Sequence, residues 1–185
     1  MVIVAVIVGL IVAAIAVVIL TPRIVEYVET IVIDAPASRV HDAIRYQRDL
    51  MRWSAWPSET GSECSVEGTD GNIGAQTIFL DKKGNRFGYQ EVTAIQDKAV
   101  VRFKLESKGP PHEPTVDIYT VSMEKALTTV VLHFRNDIAP PFHILLRLFG
   151  VVRWTREMHR KDLDGLKRFV EKREDYRGKE IPDAA

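Results

Sequence analysis

The first twenty residues, Met1–Leu20, contain no charged or polar side chain, and only Gly9 falls outside the apolar set. At 1.5 Å per residue a helix of that length spans about 30 Å, the thickness of a bilayer's hydrocarbon core. Val and Ile lose side-chain freedom in a helix, yet in lipid the backbone must satisfy its own hydrogen bonds, so the pattern predicts a transmembrane helix. A cleaved signal peptide would carry basic residues ahead of the apolar run and a small-residue cleavage site. Here no Lys or Arg precedes the run, and Val18-Ile19-Leu20-Thr21 is a poor cleavage site.

Beyond Thr21 the period changes repeatedly. Ile24–Asp34 alternates loosely and is β-branched, which predicts a strand. Asp34-Ala-Pro-Ala-Ser gives a turn with helix-start chemistry, and Val40, Ala43, Ile44 and Gln47 follow at helical spacing to about Arg48. Asp49–Trp56 predicts a second short helix or turn, stopped by Pro57. From Ser62 to Asn136 turns at 68–74, 81–85, 96–98 and 109–112 separate runs at Ala75–Leu80, Phe87–Ile95, Val100–Glu106, Val116–Met123 and Thr128–Arg135, an antiparallel meander. After Pro140-Pro141 an apolar stripe runs through Leu145, Leu148, Val152, Thr155, Met158, Leu163, Leu166, Phe169 and Val170, which predicts one long helix with a soft spot at Gly165. Polar Arg173–Gly178 ends it. The expected organisation is a transmembrane anchor over 1–20, one domain over 23–175 and a flexible tail over 176–185. The class is α+β: a curved antiparallel sheet that buries its inner face against a long C-terminal helix.

Composition narrows the function. All 25 Lys/Arg and all 25 Asp/Glu lie after residue 20, so an ordinary soluble domain follows the apolar run. Net charge of zero argues against nucleic acid as a partner. A single cysteine, Cys64, excludes an internal disulfide and any cysteine-cluster metal site. Arg23 and Arg39 on the domain side of the anchor lean toward a cytoplasmic domain on a single-pass membrane protein.

Four segments carry a family resemblance: Ile33-Asp-Ala-Pro-Ala-Ser-Arg-Val-His-Asp-Ala-Ile44, Met51-Arg-Trp-Ser-Ala-Trp-Pro57, Glu67-Gly-Thr-Asp-Gly-Asn-Ile-Gly-Ala75 and Asp162-Leu-Asp-Gly-Leu-Lys-Arg-Phe169. In this order they resemble the START/Bet v 1-like (SRPBCC) superfamily, closest to its polyketide cyclase/dehydrase and lipid-transport branch, over Tyr27 to about Arg173. Two departures stand out: His41 occupies a position where that branch's opening usually has an aromatic residue, and Lys82-Lys83-Gly84 interrupts the region after the glycine turn. The resemblance implies a helix-grip fold with a cavity between sheet and C-terminal helix for a lipid, quinone, sterol or polyketide-like molecule. Fold does not give function, so the site needs its own argument.

Candidate ligand-binding residues follow from that geometry: Trp53 and Trp56 at the mouth, and Phe79, Tyr89, Phe103, Tyr119, Phe134, Trp154 and Met158 on the wall. Core packing is the competing role for each, and strand parity alone does not say which face inward. The tryptophans would otherwise cap the core or dip into the membrane interface. No metal spacing links His41, His112, His133, His143 and His159, and neither a nucleophile triad nor a phosphate-binding loop is present. The catalytic residues are therefore unknown, and no cofactor or metal is expected. Asp117, Glu91 and Glu106 lie on predicted strands without one standing out as an acid or base.

Residues 141–173 carry nine basic and four acidic side chains, and Arg153, Arg156 and Arg160 share a helix face. That face is either a membrane-surface contact for anionic head groups or simply solvated. Only Thr21-Pro22-Arg23 separates the anchor from the first strand, so the domain is held against the bilayer. The sequence thus points to a membrane-anchored protein whose partners are a hydrophobic small molecule or lipid and the membrane. The alternatives are a cyclase or dehydrase acting on an apolar substrate and an accessory subunit of a membrane protein complex.

Overall fold

The computed structural model describes residues 1–96, 99–123 and 127–172. In chain order the elements are α1 (Val2–Leu20), β1 (Ile24–Asp34), α2 (Ala37–Arg45), α3 (Gln47–Trp53), α4 (Trp56–Thr60), β2 (Glu63–Glu67), β3 (Gln76–Leu80), β4 (Arg86–Gln96), β5 (Val100–Ser107), β6 (His112–Ser122), β7 (Leu127–Ile138), α5 (Phe142–Leu148) and α6 (Val151–Glu171). The expected helix end at 173–178 and the tail over 176–185 lie outside the described residues, as do Asp97 and Lys98 of one expected turn.

The seven strands form one antiparallel curved sheet in the order β1-β7-β6-β5-β4-β3-β2, so the first strand pairs with the last. Bulges at Phe79/Leu80 and Val92/Ala94 interrupt the ladder and help it bend. The inner phase is set by the buried residues. Val25, Tyr27 and Ile33 of β1 stand opposite Asn136, Phe134 and Thr128 of β7, and Val116 and Ile118 of β6 opposite Phe103 and Val101 of β5. Against this face lie α6 and the short helices. Met158, Leu163, Leu166 and Val170 of α6 are all buried, each contributing about 1.5–3 kcal/mol.

The structure departs from the sequence reading in four places. The long C-terminal helix is interrupted: Gly150, with φ of 72°, separates α5 from α6, because only a residue without a Cβ takes that conformation easily. Leu145 and Leu148 consequently leave the buried stripe and are 41% and 75% exposed. Pro57 does not stop a helix but sits in the first turn of α4, where its missing N–H has no partner to lose. The short strand β2 was not among the expected strands. Gly165 is a packing position rather than a soft spot: a Cβ there would overlap the Trp53 carbonyl oxygen.

Candidate functional site between sheet and C-terminal helix

Strand register sorts the candidate aromatic residues. Phe79 pairs with Gly88 and so shares the inner phase with Gln90, Phe103 and Leu105. Phe103 and Phe134 are fully buried on that face. Tyr89 and Tyr119 are corrections: both fall in the outward phase, one number off from the buried rows. Tyr89 stands opposite Glu106 and donates its hydroxyl to that carboxylate at 2.7 Å, while Tyr119 lies between Val100 and Val131. Trp53 is 7% exposed and its indole N–H donates to the Ala43 carbonyl at 2.8 Å, which ties α3 to α2. Met158 is in the core.

The inner face also carries a polar pair that the pattern of aromatic residues does not reveal. Tyr27 on β1 and His159 on α6 are both buried and joined by a 2.9 Å hydrogen bond between the phenol and Nδ1. Phe134 stacks on the Tyr27 ring at 4.9 Å and approaches His159 at 5.0 Å. Burial, the dominant influence, pushes the Tyr27 phenol well above its ordinary range and lowers the His159 imidazole to about 4. Both groups are therefore neutral at pH 7, a donor and an acceptor without charge. Such a pair can orient a polar end of an apolar molecule, or hand over a proton, without exposing an ion to the core.

Two residues along β1 in the same inward phase stands Glu29, whose side chain is only 13% exposed. Burial pushes its carboxyl upward, but hydrogen bonds and charge from Arg160 and Arg156 outweigh that and hold it below the usual range. Arg156 donates to Glu29 and also lies over the Tyr27 ring, and Arg160 approaches the other carboxylate oxygen at 3.1 Å. Two of the three arginines grouped on one helix face are thus engaged with Glu29. Arg156 and Arg160 turn toward Glu29 because a carboxylate sits in a strand phase otherwise filled by apolar side chains. Arg153 is exposed, with no ion-pair partner among the described residues.

Trp56 and Trp154 close the same end. Their rings meet edge to face at 5.2 Å, with Trp56 6.1 Å from His159 and Trp154 46% exposed. Trp56 is positioned by Asp162, whose buried carboxylate accepts from the Ala55 N–H at 2.7 Å and the Ser54 hydroxyl at 3.0 Å at the start of α4. Burial raises the Asp162 carboxyl to about 7, against those hydrogen bonds. Cys64 is half-buried, and burial pushes its thiol up, the opposite of what a nucleophile requires. Among the described residues no group of three His, Cys, Asp or Glu side chains is placed to hold a metal ion.

The signal for Glu29 and Tyr27 was present in the sequence as phase. Both fall in the same phase as Val25, Ile31 and Ile33, so a carboxylate and a phenol share the buried side of β1.

No family model matches the chain, and no curated protein does. Solved structures do. Norcoclaurine synthase from Thalictrum flavum in complex with dopamine and hydroxybenzaldehyde aligns with a TM-score of 0.62 at 10% identity, over 82% of this chain and 88% of that one. A protein from Thermus thermophilus aligns with a TM-score of 0.55 at 18% identity, over 79% and 97%. A protein from Chromobacterium violaceum aligns at 0.54 and 17% identity, over 82% and 99%. At these identities the likeness establishes the architecture, the Bet v 1-like fold.

Proposed function

We propose that the chain is a membrane-anchored protein that binds a hydrophobic small molecule, such as a lipid, quinone or polyketide-like compound, between the sheet and α6. The observation that carries the reading is an inner face that its helices do not seal. α6 packs chiefly on β1, while β2 and β3 meet α3. Val66, Phe79 and Leu105 point to the inner side yet stay only half-buried. Apolar surface left on a concave face supplies affinity for an apolar molecule, and Tyr27 with His159 supplies one polar contact to orient it. Helix α1 is long and apolar enough to cross a membrane, and the three-residue link to β1 would keep the domain, residues 23–175, beside a supply of such molecules.

The test is mass spectrometry of whatever co-purifies with residues 23–185, under native conditions and after organic extraction. One apolar species at near-stoichiometric amount supports the reading and identifies the cargo. A domain that stays empty after incubation with membrane extract overturns it.

A second reading rests on the Tyr27–His159 pair. A neutral imidazole bonded to a phenol on the inner wall is suited to proton transfer on an apolar substrate, as in a cyclase or dehydrase. Turnover of the identified cargo by the wild type but not by His159→Gln would favour it over simple carriage.

A further inference from the structure

We infer that the α5–α6 corner is a second membrane contact, seated in the interfacial layer of the same bilayer that α1 spans. This inference rests on the anchor reading above. Its first support is depth. In α1 only Ala16 and Val18 are not fully exposed. His143 of α5 is completely buried, and its Nε2 donates to the Val18 carbonyl at 3.2 Å. Val18 lies two residues before the end of α1, so α5 packs at the level of the anchor's last turn, about 3 Å inside its end. One helical turn on, Arg147 donates to the carbonyls of Pro22 and Ile24 at 2.9 and 3.1 Å and clamps α5 to the link.

The second support is what this clamp presents outward. With His143 and Arg147 turned to the chain, Leu145, Leu148 and Phe149 face away from it, the last two 75% exposed. Val151 and Trp154 continue the patch at the start of α6, 37% and 46% exposed. Apart from the edge contact of Trp154 with Trp56, these side chains take no part in the core, and exposed apolar side chains grouped on a folded domain mark a contact surface.

The third support is charge. From Phe142 to Trp154 no acid occurs, and of the two arginines Arg147 is held by the link carbonyls while Arg153 is exposed. An exposed Arg153 with no acid nearby in the segment suits anionic head groups beside an apolar interface.

The experiment uses the full chain with Cys64→Ser, reconstituted in vesicles of phosphatidylcholine and phosphatidylglycerol. Nitroxide labels are placed one at a time at Leu148→Cys, Phe149→Cys, Ile11→Cys in the middle of α1, and Ser122→Cys. Ser122 ends β6 at the opposite end of the sheet from the entry of α1. Collision with oxygen and with a water-soluble nickel chelate reports the depth of each label. The expected result is lipid-like accessibility at 148 and 149, shallower than at 11, with 122 aqueous. Aqueous values at 148 and 149 with lipid-like values at 11 overturn the inference and leave the anchor standing. Aqueous values at 11 as well overturn both. Low collision with both agents at 148 and 149 means a protein surface covers them and also overturns the inference. Leu148→Ser with Phe149→Ser, both on exposed positions, should leave the fold intact and reduce the protection from the chelate of a label at Val151→Cys.

Discussion

Tyr27 and His159 lie 132 residues apart in the chain and meet through one buried hydrogen bond of 2.9 Å. The bond joins the strand that follows α1 to the middle of the C-terminal helix. Tyr27→Phe keeps the ring stacked on Phe134 and leaves the His159 Nδ1 without its partner. The expected cost is about 1–3 kcal/mol in chemical denaturation, the penalty of a buried polar atom left unsatisfied. Because burial is the main cause of the lowered His159 pKa, the imidazole should still titrate near 4 in the variant by NMR. A return to ordinary titration would show that the phenol, not burial, sets the shift.

Gly165 packs α6 onto the end of α3 so closely that a methyl group would meet the Trp53 carbonyl oxygen. Gly165→Ala should raise intrinsic helix propensity yet destabilise the fold by about 1–3 kcal/mol, overpacking outweighing propensity. A variant at least as stable as the wild type in thermal melting would contradict that packing.

Asp162 and His159 bend the pH profile in opposite senses. The unfolded carboxyl loses its proton near 3.8 and the folded one only near 7, so stability falls as pH rises through that window. The unfolded imidazole takes its proton near 6.5 and the folded one only near 4, so stability falls as pH drops. Between about 4 and 6.5 the two offset, and above 6.5 Asp162 acts alone. Asp162→Asn keeps an acceptor for the Ala55 N–H and has no proton to lose. Its stability relative to wild type should therefore be higher at pH 8 than at pH 5 by about 2.5 kcal/mol. Equal differences at the two pH values would rule out the raised carboxyl.

Glu29 holds two arginines whose side chains are 44% and 46% exposed, which limits the worth of the cluster. Glu29→Gln should cost about 1 kcal/mol at low salt and less at high salt. The carboxyl's folded pKa lies below its unfolded value near 4.5, so its contribution is complete above that pH and is lost as pH falls below it. The variant should show a shallower acid limb in a pH series of denaturation curves. An unchanged limb would mean the ion pairs do not form in solution.

Much of the fold was readable from period alone. The alternation of β1, β5 and β7 and the apolar stripe of α6 place the sheet and its helix without reference to tertiary contacts. What failed was local. In Glu63–Glu67 two glutamates bound a strand with little apolar content, so β2 carried no signal. Leu145 and Leu148 continue the stripe of α6 in helical register, and only the backbone at Gly150 reveals that the chain turns before α6 begins. Around Tyr89 and Tyr119 both faces of the strand mix polar and apolar residues, and composition there does not identify the wet face.

The candidate site was less legible than the fold, because its members are brought together by pairing across the sheet. Arg156 and Arg160 share a helix face in any reading of the sequence. That they turn to Glu29 depends on α6 crossing β1, a contact between the two ends of the chain. The inward phase of Glu29 in β1 was the available clue, a charge where its neighbours are apolar.

The pairing of the first strand with the last sets an order of events at the ribosome. Arg23 meets Asp137, 114 residues later, and the ladder continues from there along the whole of β1. At ordinary rates of synthesis that gap takes on the order of ten seconds. During this interval β1 stands beside the emerging apolar helix with its backbone unpaired, an edge open to any other strand. A helix already threaded into a bilayer would hold that edge at a surface, apart from other nascent chains, until β7 arrives to close the sheet.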